Sequence, residues 1–438
     1  MKPIPAATEA VPERLVADVP SPLARTGLRL VGDDDGLLLA KTLEELGPVL
    51  AGEREPAAFV PAGPRAELAF RPERLAAGIV TCGGLCPGLN DVIRSIVLTL
   101  HHHYRVPEIL GFRYGYAGVA GKGPPPTRLT PDVVATIHRQ GGTVLGTSRG
   151  PQDVDRMLDH LARLGVRVLF CLGGDGTLRG ASAIAEAARE RGQQLGVIGI
   201  PNNNHNHQAL VDQSFGISTG VGAAARAIEE AHKEAPGAVN GVGIVKLMGR
   251  HSGFIAAHAS LSSPDVNVCV VPEVPFVLEG PGSLLEMLDA RLASRGHAVV
   301  VVAEGAGQDL VEARGATDKS GNRKLADIGV FLRDRIATHF AAAGIDITVK
   351  YIDPSYTIRS LPADAYDAHY CNALGQHAVH AGLAGFTNAM VGRWGGSFTV
   401  VPLGLVTSSR RHLDPSSDVW QRLLQTTGQP DLAGLAGG

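Results

Sequence analysis

Three strand, loop and helix units between residues 75 and 207 constrain the fold more than any other feature of this sequence. They begin with AAGIVTC at Ala76, VRVLFCL at Val166 and LGVIGIP at Leu195. The first two apolar runs end in glycine-rich loops that lead into helix-length segments, and the third runs into NNNHNH. Nearly continuous apolar strands joined by helices are typical of parallel sheets. The pattern predicts an α/β fold with parallel sheets and helices on both faces.

The residue pattern divides the chain into three segments. Residues 1–74 are rich in Pro, Ala, Glu and Arg and hold no site-like cluster, which predicts an N-terminal extension packed on the main body. Residues 75–222 contain the three units and form the first predicted lobe. Residues 223–438 continue the pattern with VNGVGIVKL, HAVVVVA and ITVKYID, and they form a second predicted α/β lobe.

Composition excludes several classes of protein. The chain has 438 residues, and 40 basic against 43 acidic side chains give a formal net charge of −3 without a basic block. Nucleic acid is therefore not an expected partner. No apolar run reaches the ~18 residues that cross a bilayer, so no membrane partner is expected. The N-terminus carries acids and prolines where a secretory signal needs an apolar core, and the five cysteines form no CxxC pair. We expect a cytoplasmic protein.

Two of the glycine-rich loops are suited to bind phosphate. The loop of residues 83–88, GGLCPG, lets backbone NH groups approach an anion at a helix N-terminus. The loop of residues 173–177, GGDGT, adds Asp175, which can hold Mg²⁺ against a polyphosphate, and the hydroxyl of Thr177. An Asp that only caps the next helix is the alternative. Loops at the carboxyl ends of neighbouring parallel strands line one crevice, so we expect these loops to meet.

A third loop contains an arginine between glycine-rich stretches. Residues 141–150 read GGTVLGTSRG, and Arg149 is suited to bridge phosphate oxygens, although a solvated surface arginine would look the same. None of the loops is a Walker A motif, and GGLCPG does not fit GxGxxG. A nicotinamide cofactor is therefore not indicated.

Six stretches, in this order, resemble the phosphofructokinase superfamily. They are AAGIVTCGGLCPGLNDVIR, GGTVLGTSRG, CLGGDGTLRGA, VKLMGRHSGFIAAHASL, AEGAGQDL and KYIDPSYTIR. Together with FVPAGPRAELAF at residues 59–70, they are most similar to the plant-like, ATP-dependent branch, which carries an N-terminal extension. The resemblance implies a two-lobed fold, with nucleotide on the lobe of residues 75–222 and sugar phosphate on the lobe of residues 223–438. It also implies a homo-oligomer, either a dimer or a tetramer.

The resemblance also implies the ligands and the residues that bind them. The ligands are ATP, Mg²⁺ and a phosphorylated ketose. The positions that match the nucleotide and metal motifs are Gly84, Arg149, Gly150, Gly174, Asp175, Gly176 and Thr177, with Arg149 and Asp175 in catalytic roles. Gly176 stands where ATP users have Gly and strict pyrophosphate users have Asp. The positions that match the sugar-phosphate motifs are Met248, Gly249, Arg250, Glu304, Tyr356 and Arg359.

The catalytic turn after the third strand departs from the family pattern. Family members read P-[KG]-T-I-D-N-D, and the first Asp accepts the proton of the attacking sugar hydroxyl. This chain reads PNNNHNH at residues 201–207, so that His205 replaces the base, His207 replaces the second Asp and Asn203 replaces the Thr. Because the changes are concentrated here and the phosphate-binding motifs are retained, they indicate altered chemistry more than lost binding.

Three hypotheses account for this turn. His205 can act as the base at its ordinary pKa near ~6.5, with fructose 6-phosphate or a related ketose 6-phosphate as acceptor. Alternatively, an anomeric hydroxyl attacks the β-phosphorus of ATP, diphosphate is transferred and AMP is released, with the asparagines donating to the additional phosphate. In the third hypothesis, the protein binds nucleotide and sugar phosphate without turnover, as a regulator.

Overall fold

The computed structural model describes residues 6–202, 210–311, 324–408 and 410–430. The strands in these ranges are β1 (Val19–Pro20), β2 (Leu37–Leu38), β3 (Ala58–Pro61), β4 (Glu67–Leu68), β5 (Ala76–Thr81), β6 (Glu108–Phe112), β7 (Thr127–Arg128), β8 (Val166–Gly173), β9 (Gly196–Pro201), β10 (Gly241–Leu247), β11 (Val268–Val270), β12 (His297–Ala303), β13 (Thr348–Ile352), β14 (Ala389–Trp394) and β15 (Ser397–Pro402).

The helices in the described ranges are α1 (Leu43–Leu50), α2 (Leu89–His102), α3 (Gly115–Val119), α4 (Val154–Arg163), α5 (Asp175–Glu190), α6 (Ile217–Glu234), α7 (Phe254–Ser262), α8 (Leu284–Arg295), α9 (Ile328–Ala342), α10 (Ser355–Ser360), α11 (Ala365–Leu383), α12 (Leu403–Thr407) and α13 (Asp418–Thr427). Short 3-10 helices span Ala7–Ala10, Pro22–Arg25, Pro72–Arg74, Ile137–Arg139 and Ala235–Gly237. Within the described part of the chain, no helix is both long and apolar enough to cross a membrane.

The described residues form two compact units. The first contains residues 6–202, 210–216 and 361–410, and the second contains residues 217–360 and 411–430, apart from the gaps given above. The sequence prediction differs from this division, since it placed all of residues 223–438 in one lobe. Residues 361–410 return to the first unit because β14 pairs with β9 and α11 packs beside α2, contacts between distant segments that local sequence patterns do not show.

The first unit is built on a nine-stranded sheet of order β2-β3-β15-β14-β9-β8-β5-β6-β7. Its central strands, from β14 through β9, β8 and β5 to β6, are parallel, and the outer pairs are antiparallel. The carboxyl ends of β5, β8 and β9 therefore lie at one edge of the sheet, and the loops of residues 83–88 and 173–177 begin there.

Both faces of this sheet are buried, as the apolar strands predicted. Along β8, Val168, Phe170 and Leu172 enter one core, while Leu169 and Cys171 enter the other. The first core includes buried side chains of α2 and α11, and the second includes those of α4 and α5. Because alternate residues of a strand point to opposite faces, helices on both sides are required to cover such a run. The predicted α/β fold is confirmed.

The N-terminal extension is part of the first unit and adds strands to its sheet. Val60 in β3 pairs with Val400 in β15, and β2 pairs with β3 at the edge. The Arg65 side chain is 2% exposed and donates to the Gly32 carbonyl and to the carboxylate of Asp33. A buried guanidinium is tolerated when its NH groups have such acceptors. This arginine joins its own segment to the segment of Gly32 and Asp33 within the extension.

The second unit is built on a parallel four-stranded sheet of order β11-β12-β10-β13. Alternate residues of β12 again enter two cores: Val299 and Val301 pack with α6 and α7, and Val300 and Val302 pack with α8 and α9. The segments that follow β10, β12 and β13 thus start from the same edge of this sheet.

Candidate functional site

The first loop of the first unit requires glycine where it enters α2. Gly83 and Gly88 have φ of 82° and 101°, values that favour glycine. A Cβ on Gly88 would lie 2.5 Å from Sγ of Cys371 and 3.0 Å from Cδ2 of Phe215. The loop therefore presents backbone to its surroundings at the N-terminal end of a 14-residue helix, an arrangement that favours an anion.

The second loop joins β8 to α5 by a tight turn. Gly174 is the N-cap of α5 and Asp175 is its first residue. The backbone NH of Thr177 donates to the Gly174 carbonyl at 2.8 Å. A Cβ on Gly173 would lie 2.1 Å from Oγ1 of Thr177, so a side chain there would displace the threonine hydroxyl. A Cβ on Gly176 would meet no atom within 4 Å.

The buried residue Asn202 ties these two loops together. Its backbone NH donates to the Gly173 carbonyl at 3.2 Å, and its side-chain amide donates to the Gly84 carbonyl at 3.3 Å. The Gly83 NH also donates to the carbonyl of Ser148 in the third loop, at 3.3 Å. The structure therefore brings the ends of β5, β8 and β9 and the third loop together, as expected for neighbouring parallel strands.

Two buried polar residues hold the third loop, and sequence reasoning missed both of them. Asn90 is 1% exposed, and its amide donates to the Gln140 carbonyl and accepts from the Val144 NH, both at 2.9 Å. Thr81 is fully buried and donates to the Gly146 carbonyl at 2.8 Å. A polar residue in an otherwise apolar strand or helix face is the signal that could have identified them. The predicted site residue Arg149 is exposed at the end of this loop.

An arginine from a distant segment contacts the predicted metal ligand. Nε of Arg410 lies 2.8 Å from Oδ2 of Asp175, and the two side chains are 39% and 15% exposed. Arg410 follows α12, 235 residues beyond Asp175, and no motif marks it in the sequence. The pair places a fixed positive charge beside the carboxylate at the N-terminus of α5.

In the second unit, the segment after β10 contacts the segment after β12. Met248 is fully buried. Gly249 has a φ of 149°, and a Cβ added to it would lie only 2.6 Å from the Ser252 carbonyl oxygen, which is too close for a side chain. The Glu304 NH donates to the Leu247 carbonyl at 2.9 Å, and the next residue's NH donates to the Gly249 carbonyl at 3.1 Å. Backbone bonds thus fix Glu304 next to the Met-Gly-Arg segment that ends at residue 250.

The short helix α10 brings a second predicted arginine to the same segment. Nε of Arg359 donates to Sδ of Met248 at 2.8 Å. Tyr356, one turn earlier in α10, is 81% exposed and lies outside the core of this unit. Of the sugar-phosphate positions named from sequence, the structure therefore gathers Met248, Gly249, Glu304 and Arg359 by direct contacts.

Comparison with known proteins decides the family. The sequence model of the phosphofructokinase family matches residues 76–382. The chain belongs to the phosphofructokinase family. An ATP-dependent 6-phosphofructokinase of Amycolatopsis methanolica is 48% identical over 413 residues, which are 93% of this chain and 90% of that protein. ATP-dependent 6-phosphofructokinase 7 of Arabidopsis thaliana is 45% identical over 379 residues, 86% of this chain and 78% of that protein.

Solved phosphofructokinases share the fold. A pyrophosphate-dependent phosphofructokinase of Marinobacter aquaeolei matches with a TM-score of 0.66 at 21% identity, over 82% of this chain and 92% of that one. A Pichia pastoris phosphofructokinase in the T-state matches with a TM-score of 0.62 at 22% identity, over 82% of this chain and 39% of that one. The predictions of a two-lobed phosphofructokinase-like fold and of a kinase of this family are confirmed.

Residues 203–207 of the divergent turn in this phosphofructokinase all lie outside the described residues. The predicted site residues among them are Asn203, His205 and His207, and their roles stay predictions. Asn202, immediately before them, is described and occupies the family's Lys or Gly position. Its side chain contacts the first loop, as given above.

The residues of the second loop fit a magnesium ion held mainly by its phosphate ligands. In the part of the chain that the structure describes, no group of three or more His, Cys, Asp or Glu side chains forms a metal site. Mg²⁺ commonly uses one or two carboxylates together with water and substrate phosphates. Asp175, at the N-terminus of α5 with a largely buried side chain, could supply one such carboxylate.

Proposed function

We propose that this phosphofructokinase family member transfers the terminal phosphoryl group of ATP to a ketohexose 6-phosphate, either fructose 6-phosphate or a related ketose. The observation that carries the proposal is 48% identity, over 93% of the chain, to a protein named ATP-dependent 6-phosphofructokinase. Gly176 supports ATP as donor, because this position leaves open space where a strict pyrophosphate user has a carboxylate.

In this proposal the loops of the first unit bind the nucleotide. Backbone NH groups near Gly84, Gly150 and Gly174, with the hydroxyl of Thr177, donate to phosphate oxygens. The guanidinium groups of Arg149 and Arg410 add positive charge. Asp175 would hold Mg²⁺, which neutralises phosphate charge when bound.

The sugar phosphate is assigned to residues of the second unit. Arg250 and Arg359 carry guanidinium groups suited to a phosphate dianion, and Tyr356 supplies a phenolic donor. Glu304 accepts hydrogen bonds from sugar hydroxyls. Met248 and Gly249 shape the segment that bears Arg250, and the sulfur of Met248 contacts Arg359.

His205 is the proposed general base, and Asn203 and His207 are its proposed neighbours at the acceptor. The neutral imidazole takes the proton of the attacking hydroxyl as the new oxygen–phosphorus bond forms. The bond between the γ-phosphorus and the bridging oxygen breaks, and ADP leaves with the electron pair. An ordinary histidine pKa near ~6.5 suits a base at neutral pH.

Phosphorus NMR of the products tests this proposal directly. The protein is incubated with ATP, Mg²⁺ and, in turn, fructose 6-phosphate and other ketose and aldose 6-phosphates. ADP with a sugar bisphosphate is expected. AMP with a sugar diphosphate would replace the proposal with diphosphoryl transfer, and binding of both ligands without turnover would replace it with a regulatory role.

Two variants of the turn test the role of His205. His205→Asn removes the base and is expected to lower kcat by about 10²-fold or more, whereas His205→Asp restores the family's base and is expected to retain phosphofructokinase activity. The wild type is expected to lose kcat on acidification through a pKa near ~6.5, and His205→Asp through a lower carboxylate pKa. An active His205→Asn variant with an unchanged pH profile contradicts the assignment.

A homo-oligomer, either a dimer or a tetramer, is also part of the proposal, since the resemblance to the family implies one. Size-exclusion chromatography with light scattering measures the mass in solution. Two or four times the chain mass of 45.6 kDa is expected, and a monomer at working concentration would contradict it.

A further inference from the structure

A lysine in the second unit lies behind the residues assigned to the sugar phosphate, and the family motifs give it no role. Lys246 stands two residues before Met248, near the carboxyl end of β10. Its Nζ lies 2.9 Å from Oδ2 of Asp353 and 3.0 Å from Oδ2 of Asp327. The lysine side chain is 13% exposed, and it bridges two carboxylates that are partly exposed, Asp327 at 41% and Asp353 at 33%.

The Asp353 arm of this bridge leads to α10. Val245 in β10 is paired with Ile352 in β13, so Asp353 follows β13 beside Lys246. The other oxygen of Asp353, Oδ1, accepts from the backbone NH of Ser355 at 3.1 Å and from its hydroxyl at 2.5 Å. Ser355 is the first residue of α10. One carboxylate therefore connects the lysine to the start of this helix.

The contact between α10 and Met248 closes a circuit. Arg359 is in the last turn of α10, and its Nε donates to Sδ of Met248. The path runs from Lys246 in β10 through Asp353 and Ser355 to Arg359, and ends at Met248, the residue that follows β10. The circuit fixes α10 at both of its ends relative to β10 and the Met-Gly-Arg segment that follows it.

The Asp327 arm ties the same lysine to α9. Oδ1 of Asp327 caps α9 by accepting from the NH groups of Gly329 and Val330 at 3.1 and 3.2 Å. The hydroxyl of Tyr351 in β13 also donates to Oδ1, at 3.0 Å. Lys246 is thus the cation between two carboxylates that each organise a helix start.

The charges in this cluster depend on one another. Although burial lowers the pKa of Lys246, its hydrogen bonds to Asp353, Tyr351 and Asp327 outweigh burial and hold the pKa above its ordinary value. Burial raises the pKa of Asp353, but hydrogen bonds from Ser355 and Lys246 leave it below its ordinary value. Removing the ammonium group would leave two carboxylates near each other in a half-buried position, which is unfavourable.

We propose that Lys246 is a positioning residue for the Met-Gly-Arg segment of residues 248–250. Through Asp353, Lys246 holds α10 and Arg359 in register with Met248 and Arg250. The role assigned to this segment rests on the proposed function. Lys246 itself contacts carboxylates of its own unit and acts on the substrate through them.

Steady-state kinetics of Lys246→Met tests the proposal. This variant keeps most of the apolar side chain and removes the charge. The KM for fructose 6-phosphate is expected to rise about 10-fold, with the KM for ATP unchanged and kcat changed less than twofold. Lys246→Arg, which retains a cation, is expected to recover most of the affinity. Asp353→Asn is expected to raise the same KM, and the double variant is expected to be no worse than the more affected single variant.

Lys350→Met provides a matched control. Lys350 lies in β13 of the same sheet and pairs with Glu234, but this pair is not part of the circuit. The control is expected to leave both KM values unchanged. An equal rise of the sugar-phosphate KM in Lys350→Met, or loss of kcat at unchanged KM in Lys246→Met, overturns the proposal.

Amide hydrogen exchange separates this proposal from the proposed function. Exchange in peptides that cover residues 353–360 is expected to be faster in Lys246→Met than in the wild type, and unchanged in Lys350→Met. If the wild type phosphorylates no ketose phosphate but this difference is found, only the proposed function fails. Unchanged exchange overturns the positioning role, and Asp353→Asn gives the same test if Lys246→Met does not fold.

Discussion

The two units hold their candidate binding segments by different means. In the first unit, the loops at β5 and β8 depend on backbone geometry: Gly83 and Gly88 occupy positive φ, and Asn202 joins the loops through carbonyl groups. In the second unit, α10 and the Met-Gly-Arg segment are joined by the ion pairs of Lys246. A polyphosphate needs close approach of many NH groups, which glycine permits, whereas a single phosphate dianion needs well-placed guanidinium groups.

This difference predicts different sensitivities. The binding geometry of the glycine loops in the first unit should be altered mainly by an added Cβ or an added charge. The geometry of the Lys246 cluster in the second unit should be altered by removal of one ion-pair partner.

Removal of the carboxylate in the second loop is expected to have the largest effect. Asp175→Ala should lower kcat on the order of 10³-fold, because it removes the only carboxylate assigned to Mg²⁺ in this loop. Measured kcat at saturating ATP and Mg²⁺ checks this. Glu190→Ala, at the exposed C-terminal end of the same helix, is the control. An Asp175→Ala variant as active as this control would contradict the metal assignment.

A charge added at Gly176, the open position of the same loop, is expected to have the second-largest effect. Gly176→Asp should weaken ATP binding about 100-fold, because a second carboxylate beside Asp175 repels phosphate. Gly176→Ala should bind ATP almost normally, since its Cβ meets no atom within 4 Å. Titration with a fluorescent ATP analogue measures both variants. If Ala and Asp weaken binding equally, shape rather than charge decides donor choice.

In the second unit, truncation of the arginine on α10 should act on the other substrate. Arg359→Ala is expected to raise the KM for fructose 6-phosphate about 30-fold, because a charge-assisted bond to the phosphate is lost. The KM for ATP should stay constant. Arg333→Ala, which removes an exposed arginine of α9, serves as the control. Equal changes in both KM values would show that Arg359 has no selective role at the sugar.

Mild acid is expected to lower the folding stability of the first unit by a small amount. Burial lowers the pKa of His380 to about 3, and its ring accepts or donates a 2.8 Å bond to the Tyr104 hydroxyl. The unfolded chain, with an ordinary pKa near ~6.5, binds a proton first as pH falls, so folding loses stability below that value. The contribution of this group should fall by about 1 kcal/mol between pH 7.5 and 5.5.

Urea unfolding at the two pH values measures this effect. His380→Gln should reduce the pH dependence by that amount. By contrast, the Lys246 cluster should keep its charges across this range, because the pKa values of Asp327 and Asp353 lie below the ordinary value and that of Lys246 lies above it. An undiminished pH dependence in His380→Gln would assign the effect to other groups.

The candidate phosphate-binding loops of the first unit were predictable because they are local. Strand, glycine turn and helix follow one another within residues 76–102 and within residues 166–190, so a short window contains both the fold signal and the candidate phosphate-binding residues. The family motifs then supplied roles for single positions such as Gly176. The same motifs exposed His205 as a departure, which no count of composition would show.

The contacts that organise these positions were not predictable in this way. Asp175 and Arg410 are 235 residues apart, and Lys246 and Asp353 are joined only because β10 and β13 are neighbours in a sheet. Residues 361–410 return to the first unit, and the N-terminal extension adds β3 to its sheet.

The sequence alone determined the α/β class, the phosphofructokinase family and the residue types available at each loop, since these depend on periodicity and on contiguous motifs. The tertiary structure decided which distant side chains meet: Arg410 at the second loop, Asn202 between the loops, and Lys246 behind α10. Strand order and long-range packing create these contacts, and local side-chain patterns carry no information about strand order.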